Sequence, residues 1–369
     1  MKHRNILYFS SFGTLKGGGQ KSLLLLLRRL DRERFAPKCV APTEGDFCNR
    51  LEKQGIPCFV IPMGRPRSIH FTDTIRTIAG VYRLIRREKV HLVHTDGPRN
   101  TFFAGMAARF AGIPVVFHVR VTDTFHYFDR ILPHLADAFI FVSESARSRF
   151  HALSAAKLQR VIYNGIDPSE FEDIRADPSF YGFLKGDPAP FRVGCIGRIE
   201  AAKGQNFLLE AVPEIIRRVG ETHFFFLGEQ DAETMRGLRT LLTPIQGYVH
   251  FTGFLDNPYP AMKGLDLVVL PSLSEGFSRS VLEAMALKKA VVATRVGGNP
   301  EAVSDGVTGW LVPPCDPGAL CDRIVDLLSD PVKRQKMGNA AHERVVKAFD
   351  IRKSTREIEE VYSRLLRLP

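Results

Sequence analysis

Short apolar runs rich in β-branched and aromatic residues alternate with helical patterns along most of this chain. Strands joined through a helix pair in parallel, because the crossover returns the chain to the same end of the sheet. Helices then cover both faces of that sheet, so its strands are apolar throughout. The first series of runs is NILYFSS, FAPKCVAP, CFVIPM, VHLVHTD, PVVFHVR and AFIFVSE. The alternation therefore predicts an α/β protein with doubly wound parallel sheets.

A segment rich in Pro, Gly and Asp, residues 163–190, interrupts the alternation and is typical of a linker. A second series then follows: FRVGCIGR, THFFFLG, VHFTGF, LVVLPS, AVVATRV and GWLVPP. The 369 residues suit two domains. We expect a Rossmann-like domain over 1–165, a second over 166–350, and a helix over 351–369 that packs back on the first. Ligands of open α/β sheets bind at the carboxyl ends of the strands, so the two sheets are expected to face a cleft.

Charge is divided unevenly along the chain. Residues 1–165 contain 26 Lys and Arg against 12 Asp and Glu, whereas the remainder contains 25 against 28. Such asymmetry indicates that the first domain meets an anionic partner: a membrane surface, a phosphorylated substrate or nucleic acid. No stacking-aromatic motif accompanies the basic residues, so nucleic acid is not expected.

The remaining composition is that of a cytoplasmic protein. No apolar run reaches the ~18 residues of a membrane span, and the N-terminus lacks the long apolar region of a signal peptide. The six cysteines form no C-x-x-C pair and have no histidine cluster beside them. We therefore expect reduced cysteines and no zinc site.

Three consecutive glycines, Gly17, Gly18 and Gly19, precede a helix predicted over 20–30. The spacing fits neither a Walker A loop nor a G-x-G-x-x-G fingerprint. Two interpretations remain open: backbone N–H groups at a helix N-terminus that face an anionic or polar ligand, or a tight turn from strand to helix.

Two segments of the second half carry charged residues in suggestive positions. In GCIGRIEAAKGQ, Arg198 and Lys203 flank a loop that leads into a helix, as in a clamp for a diphosphate, although a solvated loop is the alternative. In SLSEGFSRSVLEAMA, Glu275 precedes a helix and Glu283 lies within it. Sugar hydroxyls suit carboxylates in such surroundings, although Glu275 can instead serve the N-terminus of its helix.

These segments, in this order, resemble glycosyltransferase family 4, retaining nucleotide-sugar enzymes of the GT-B fold. GRIEAAKGQ is similar to the phosphate loop of that family, and EGFSRSVLEAMA to its E-(x7)-E signature. VGGNPEAV, with a glycine pair whose backbone can approach a ligand, is similar to its closing segment. VIYNGID resembles the linker entry, and LADAFIFVSESARSRF the last strand and helix of the acceptor domain.

The resemblance implies roles for individual residues. Arg198 and Lys203 would neutralise the leaving diphosphate, Glu283 would hold the ribose hydroxyls, and Glu275 would contact the donor sugar. His118 falls where the family often has a sugar-contacting or catalytic histidine, although a lone histidine at a strand end can be structural. The implied catalytic set is Glu275, His118, Arg198 and Lys203. The implied donor-binding set is Gly17, Gly18, Gly19, Arg198, Lys203, Phe254, Glu275, Gly276, Phe277, Ser278, Glu283, Gly298 and Asn299.

Two departures from the family pattern leave the donor sugar open. Ser278 replaces the more usual glycine, and Arg279 stands where a small apolar residue is common. Arg279 can pair with an anionic donor sugar or point to solvent. The loop that contains Phe254 does not identify the base of the nucleotide.

The implied function is transfer of a sugar from a nucleoside-diphosphate sugar to an anionic or lipid-linked saccharide, in surface-polysaccharide or glycolipid synthesis. The expected place is the cytoplasm or the inner face of the cell membrane. No D-x-D motif is present, so no metal and no resident cofactor are expected. The alternatives are an inactive GT-B scaffold that binds sugar or nucleic acid, and an epimerase or phosphorylase on the same fold.

Overall fold

The computed structural model describes residues 3–15, 17–64, 71–150, 153–184 and 190–368. The chain forms two compact units. Unit 1 comprises Met1–Gly165 and Ile351–Pro369, and unit 2 comprises Ile166–Asp350.

Unit 1 is built on a parallel sheet. Its strands are β1 (Arg4–Phe9), β2 (Phe35–Ala41), β3 (Cys58–Val60), β4 (Leu92–Thr95), β5 (Val115–Val119), β6 (Ala138–Phe141) and β7 (Leu158–Val161). Its first six helices are α1 (Gly18–Arg29), α2 (Asp46–Glu52), α3 (Phe71–Arg87), α4 (Pro98–Ala111), α5 (His126–Leu135) and α6 (Glu144–Ser148). The strand order is β3-β2-β1-β4-β5-β6-β7. Strands β4, β5 and β6 are buried along their whole length, as expected for a sheet covered on both faces.

The last helix of the chain, α15 (Ile351–Leu366), belongs to unit 1. Its side chains Ile358, Val361 and Tyr362 lie in the same apolar core as strand β1 and helix α1. The backbone N–H of Asp31 donates to Glu359 Oε1 at 2.7 Å, so a polar contact also holds the helix.

Unit 2 contains a six-stranded parallel sheet in the order β10-β9-β8-β11-β12-β13. Its strands are β8 (Phe191–Ile196), β9 (Thr222–Leu227), β10 (Val249–Gly253), β11 (Leu267–Leu270), β12 (Ala290–Thr294) and β13 (Trp310–Val312). Its helices are α7 (Ser169–Glu172), α8 (Gln205–Val219), α9 (Ala232–Leu242), α10 (Tyr259–Gly264), α11 (Arg279–Ala286), α12 (Asn299–Ala302), α13 (Pro317–Ser329) and α14 (Pro331–Ala348). The core lies where α8 and α13 pack on the sheet.

The structure confirms the predicted α/β class with two parallel sheets and differs in detail. Helix α1 begins at Gly18, two residues before the predicted start, so the glycines form its first turn. Strand β7 was not predicted, because its sequence LQRV lacks an apolar run and it pairs only with β6, at the edge of the sheet. The short helices α10 and α12 have too few residues to show a helical period.

Cys48 of α2 and Cys58 of β3 form a disulfide, with their Cα atoms 5.5 Å apart. The expectation that all cysteines are reduced is therefore wrong for this pair. The spacing of the two cysteines does not reveal the contact, because it arises from the return of the chain from α2 into β3. Cys39, Cys195, Cys315 and Cys321 are free thiols.

No helix in the described part of the chain is both long enough and apolar enough to cross a bilayer.

Candidate functional site

The strand order of each sheet creates a crevice at its carboxyl edge. In unit 2 the order reverses between β8 and β11, and in unit 1 between β1 and β4. The chains that leave two such strands turn to opposite faces of the sheet, and open α/β sheets bind ligands at this point. The loop with Arg198 and Lys203 follows β8, and the loop with Glu275 follows β11. In unit 2, the fold therefore brings these predicted residues to its switch point.

The loop after β8 delivers Lys203 in a 3-10 turn that ends at Gly204. Gly204 has φ +61°, and a Cβ on it would lie 2.2 Å from the carbonyl oxygen of Pro271, so only glycine fits. Helix α8 begins at Gln205 without a side-chain cap. The N–H of Phe207 donates to the carbonyl of Gly204 at 3.0 Å, so within the described backbone the N–H groups of Gln205 and Asn206 are the ones that can face an anion.

Lys203 and Glu275 form an ion pair across these two loops. Lys203 Nζ lies 2.8 Å from Glu275 Oε1, which also accepts a hydrogen bond from Ser272 Oγ at 2.7 Å. Backbone contact continues beside the pair, where the N–H of Leu273 donates to the carbonyl of Ala202. Glu275 therefore holds Lys203 beside the N-terminus of α8. It does not cap its own helix, α11, because Ser278 is the N-cap residue of that helix.

Arg198 is the more exposed of the two predicted cations. Its side chain is 54% exposed, and Nη2 lies 3.1 Å from Glu200 Oε1. Gln205 Nε2 donates to the carbonyl of Arg198 at 2.8 Å and fixes the backbone beneath it. A solvated ion pair of this kind contributes little to stability, so the guanidinium can exchange Glu200 for another anion at small cost.

Glu283, the second carboxylate of the signature, is paired within its own helix. Arg279 Nε and Nη2 donate to Glu283 Oε1 at 3.1 and 3.0 Å, and the hydroxyl of Tyr259 approaches the same oxygen at 3.4 Å. The side chains of Arg279 and Glu283 are only 10% and 6% exposed. Of the two alternatives for Arg279, pointing to solvent is therefore wrong. Burial, followed by the charge of Glu283, raises the pKa of Tyr259 and keeps this phenol neutral.

The other predicted residues of unit 2 lie around this pair of loops. Gly297 has φ +51°, and a Cβ on it would lie 1.5 Å from the carbonyl oxygen of Glu275, so the glycine pair packs against the signature loop itself. Asn299 is fully buried and donates to the carbonyl of Thr294 at 3.0 Å. The ring of Phe277 packs on Phe349 at 5.3 Å. Ligand contacts of Gly276, Phe277, Ser278, Gly298, Asn299 and the half-buried Phe254 stay predictions.

The predicted residues of unit 1 meet at the carboxyl edge of its sheet. Gly17 is the N-cap of α1, and Gly18 and Gly19 form its first turn without a side-chain cap. A Cβ on Gly19 would lie 3.8 Å from Arg120 Cδ, which places the glycines beside the end of β5.

His118 lies in β5 and is buried against other polar side chains. Its Nδ1 is 3.2 Å from His94 Nε2 and 3.3 Å from Arg120 Nη2. His94 in turn receives a hydrogen bond at Nδ1 from Tyr362 of α15, at 2.7 Å. Sequence reasoning missed His94, Arg120 and Tyr362. Only the two histidines share a sequence signal, since each stands near the end of a predicted strand.

A carboxylate of unit 1 also escaped the sequence analysis. Asp96 follows β4, and its Oδ1 accepts hydrogen bonds from Ser11 Oγ at 3.0 Å and Asn100 Nδ2 at 2.9 Å. Burial raises the pKa of Asp96, and the charge of Arg120 opposes that shift. In the described ranges, no group of three or more His, Cys, Asp or Glu side chains is arranged to hold a metal ion.

Two doubly wound units, with ion pairs at the switch point of the second, are the architecture expected of the GT-B class, and comparison with known proteins assigns the chain to glycosyltransferases of this class. Residues 16–170 match the family described as Glycosyltransferase Family 4, and residues 190–330 match Glycosyl transferases group 1. Alpha-D-kanosaminyltransferase of Streptomyces kanamyceticus is 30% identical over 287 residues, which are 70% of this chain and 73% of that protein. The chain belongs to glycosyltransferase family 4.

Two further proteins extend the likeness over nearly the whole chain. Phosphatidyl-myo-inositol mannosyltransferase of Mycobacterium leprae is 27% identical over 366 residues, 94% of this chain and 92% of that protein. HepE of Anabaena, solved in complex with UDP-glucose, superposes with a TM-score of 0.82 at 24% identity, over 98% of this chain and 100% of HepE. The fold predicted from the sequence is confirmed.

Proposed function

We propose that this glycosyltransferase moves a sugar, with retention of configuration, from a nucleoside-diphosphate sugar to an anionic or lipid-linked saccharide. The observation that carries the proposal is the Lys203–Glu275 ion pair beside the uncapped N-terminus of α8, at the switch point of unit 2. A cation and a helix N-terminus suit a diphosphate, and a carboxylate suits sugar hydroxyls. The solved complex of HepE with UDP-glucose supports this class of donor.

In the proposed complex, Lys203 exchanges part of its contact with Glu275 for the β-phosphate of the donor. Arg198 leaves Glu200 for the same diphosphate, at small cost because that pair is exposed. Glu275 then turns to hydroxyls of the donor sugar. Glu283 binds the ribose through Oε2, since Arg279 and Tyr259 occupy Oε1.

The reaction builds negative charge on the departing diphosphate. Cations and N–H dipoles that are already oriented stabilise such charge without reorganisation. Lys203, Arg198 and the first turn of α8 supply this stabilisation, so we propose a metal-independent reaction. The proposal requires equal rates with and without EDTA in metal-free buffer.

The acceptor is proposed from charge. The excess of basic residues lies in the first 165 residues, which form most of unit 1. The name of the Mycobacterium leprae relative describes transfer of mannose to a phosphorylated lipid. We therefore place this protein in the cytoplasm, in reversible contact with the anionic inner face of the membrane, in surface-polysaccharide or glycolipid synthesis.

Thermal unfolding against a panel of nucleoside diphosphates and their sugars tests the donor assignment. A ligand that binds only the native state at ~100 times its Kd adds about 2.7 kcal/mol of stability. We expect stabilisation by one base family, and a smaller shift in the Lys203→Ala variant than in a Lys336→Ala control, whose lysine is exposed on α14. Equal shifts in both variants would contradict the phosphate role of Lys203.

A further inference from the structure

Three buried side chains of unit 1 form a continuous hydrogen-bonded row. Tyr362 Oη lies 2.7 Å from His94 Nδ1, and His94 Nε2 lies 3.2 Å from His118 Nδ1. The rings meet edge to face, with centroids 5.8 Å apart for Tyr362 and His94 and 5.3 Å apart for the two histidines. The row thus crosses from helix α15 through β4 to β5.

Arg120 determines the direction of the hydrogen bonds in this row. Its Nη2 lies 3.3 Å from His118 Nδ1, and a guanidinium can only donate. His118 Nδ1 is therefore an acceptor, so His94 Nε2 must carry the proton that points at it. The Nδ1 atom of a neutral His94 is then an acceptor as well, and the Tyr362 hydroxyl donates to it.

This direction leaves the proton of His118 on Nε2. His118 Nε2 is buried and has no hydrogen-bond partner among the described residues, and the side chain is only 3% exposed. A buried N–H without a partner is costly, and native structures keep such groups mainly where a ligand or water completes them.

Both histidines stay neutral in these surroundings. Burial and then Arg120 lower the pKa of His94 to about 3. Burial, Arg120 and His94, in that order, hold the pKa of His118 well below its ordinary value. A neutral imidazole with a fixed tautomer offers one defined donor at Nε2.

We propose that Tyr362 and His94 are positioning residues that, together with Arg120, lock His118 in the Nε2–H tautomer. The substrate contact that the family resemblance implies for His118 is then made by an N–H that donates to an oxygen of the bound substrate. His118 then neither accepts a proton nor acts as a nucleophile. The oxygen belongs to a sugar hydroxyl or to a phosphate, both of which accept from a neutral N–H. The hydrogen bond to substrate rests on the proposed transferase function, whereas the tautomer of His118 does not.

Nitrogen NMR of the full-length protein, labelled with ¹⁵N-histidine and free of substrate, tests the tautomer directly. We expect His118 and His94 to be protonated on Nε2 only at pH 7, with resonances assigned through His118→Gln and His94→Gln. In Tyr362→Phe the Nδ1 resonance of His94 should move, whereas Tyr248→Phe, an exposed tyrosine of unit 2, should leave it in place. A proton on Nδ1 of His118, or on both of its nitrogens, would overturn the proposed direction of the hydrogen bonds in this row.

Kinetics test the donor role separately. Glutamine can present an N–H near the position of Nε2, whereas glutamate can only accept, so we expect His118→Gln to be at least tenfold more active than His118→Glu. Tyr362→Phe should lower kcat about tenfold with little change in KM, and without a shift of the acidic limb of the pH profile. The reverse order of the two His118 variants would overturn the donor role. A wild-type protein without transferase activity would refute the proposed function and leave the NMR result standing.

Discussion

The cation beside each carboxylate of the E-(x7)-E signature comes from a different part of the sequence. Glu283 is held by Arg279, one turn earlier in α11, whereas Glu275 is held by Lys203, which lies in another loop. The first pair is almost closed to solvent, and the second is partly open. Glu283 is therefore suited to a fixed role and Glu275 to an exchange of partners when a ligand enters.

Lys203→Ala should reduce turnover by two to three orders of magnitude, the usual loss when one preoriented donor to a developing charge is removed. The exposed Lys336→Ala serves as the matched control. Initial rates under saturating donor, together with thermal unfolding to verify the fold, provide the measurement. Turnover within a few-fold of wild type would refute the phosphate clamp.

Arg279→Met should cost about 3 kcal/mol of unfolding free energy, because it leaves the carboxylate of Glu283 buried without its cation. The double variant Arg279→Met with Glu283→Gln should recover much of the loss, since no buried charge remains unpaired. Urea unfolding of the wild type, both single variants and the double variant closes the cycle. Strictly additive single effects would show that the two side chains are not coupled.

At the scale of elements, the apolar period predicts most of what forms the two sheets. Helix α8 (Gln205–Val219) follows the loop of Arg198 and Lys203, as predicted. Strand β8 lies within its predicted run, FRVGCIGR, whereas β1 begins one residue before its run, NILYFSS. Strand β7 was missed because it pairs with one neighbour only, β6. A strand at the edge of a sheet is less buried and does not need an apolar sequence. The sequence also could not decide whether Arg279 points to solvent or pairs with an anion. The direction of this side chain depends on how α11 packs.

Some residues of the site can be predicted from the local sequence, and others depend on contacts between distant parts of the chain. Every loop that follows a strand of a parallel sheet lies at the carboxyl edge of that sheet, so the strand pattern alone assigns Arg198, Lys203 and Glu275 to one edge. The contact between Tyr362 and His94 joins residues 268 positions apart. A local sequence pattern cannot reveal a contact between residues so far apart, so the sequence identifies His94 only as a strand residue.

Strands β4 and β5 should make unit 1 sensitive to acid. Their histidines, His94 and His118, have folded pKa values below the unfolded value of about 6.5, so the unfolded chain binds more protons as the pH falls. The stability they provide is complete above pH 6.5 and is lost as the pH falls below it, by about 1.4 kcal/mol per pH unit for each histidine. For His94 the loss continues to about pH 3. Arg120, Tyr8 and Tyr362 are the other titratable groups against this pair.

Hydrogen exchange of the β4 and β5 amides between pH 7.5 and 4.5, corrected for intrinsic rates, measures this loss. His94→Gln should flatten the pH dependence by about one proton. His134→Gln, at an exposed histidine of α5, should leave it unchanged. The same slope in the wild type and in His94→Gln would contradict the assignment.

At the scale of the whole molecule, the basic excess of the first 165 residues predicts salt-dependent binding to anionic vesicles. Arg83 and Arg86 are exposed on α3, and their reversal to glutamate should weaken binding by at least about tenfold. The matched reversal of Arg236 and Arg239, exposed on α9 of unit 2, should have little effect. Sedimentation with vesicles at increasing salt is the measurement, and equal binding to neutral and anionic vesicles would refute the membrane proposal.

The placement of α15 in unit 1 also sets an order of events during synthesis. Unit 2 is a continuous stretch whose first and last residues, Ile166 and Asp350, form a parallel β-bridge, so all of its residues are synthesised before α15. Unit 1 begins to emerge first, yet its core lacks Ile358, Val361 and Tyr362 until α15 leaves the ribosome. The domain made first is thus finished last, and until then the nascent chain presents an incomplete apolar surface that chaperones recognise.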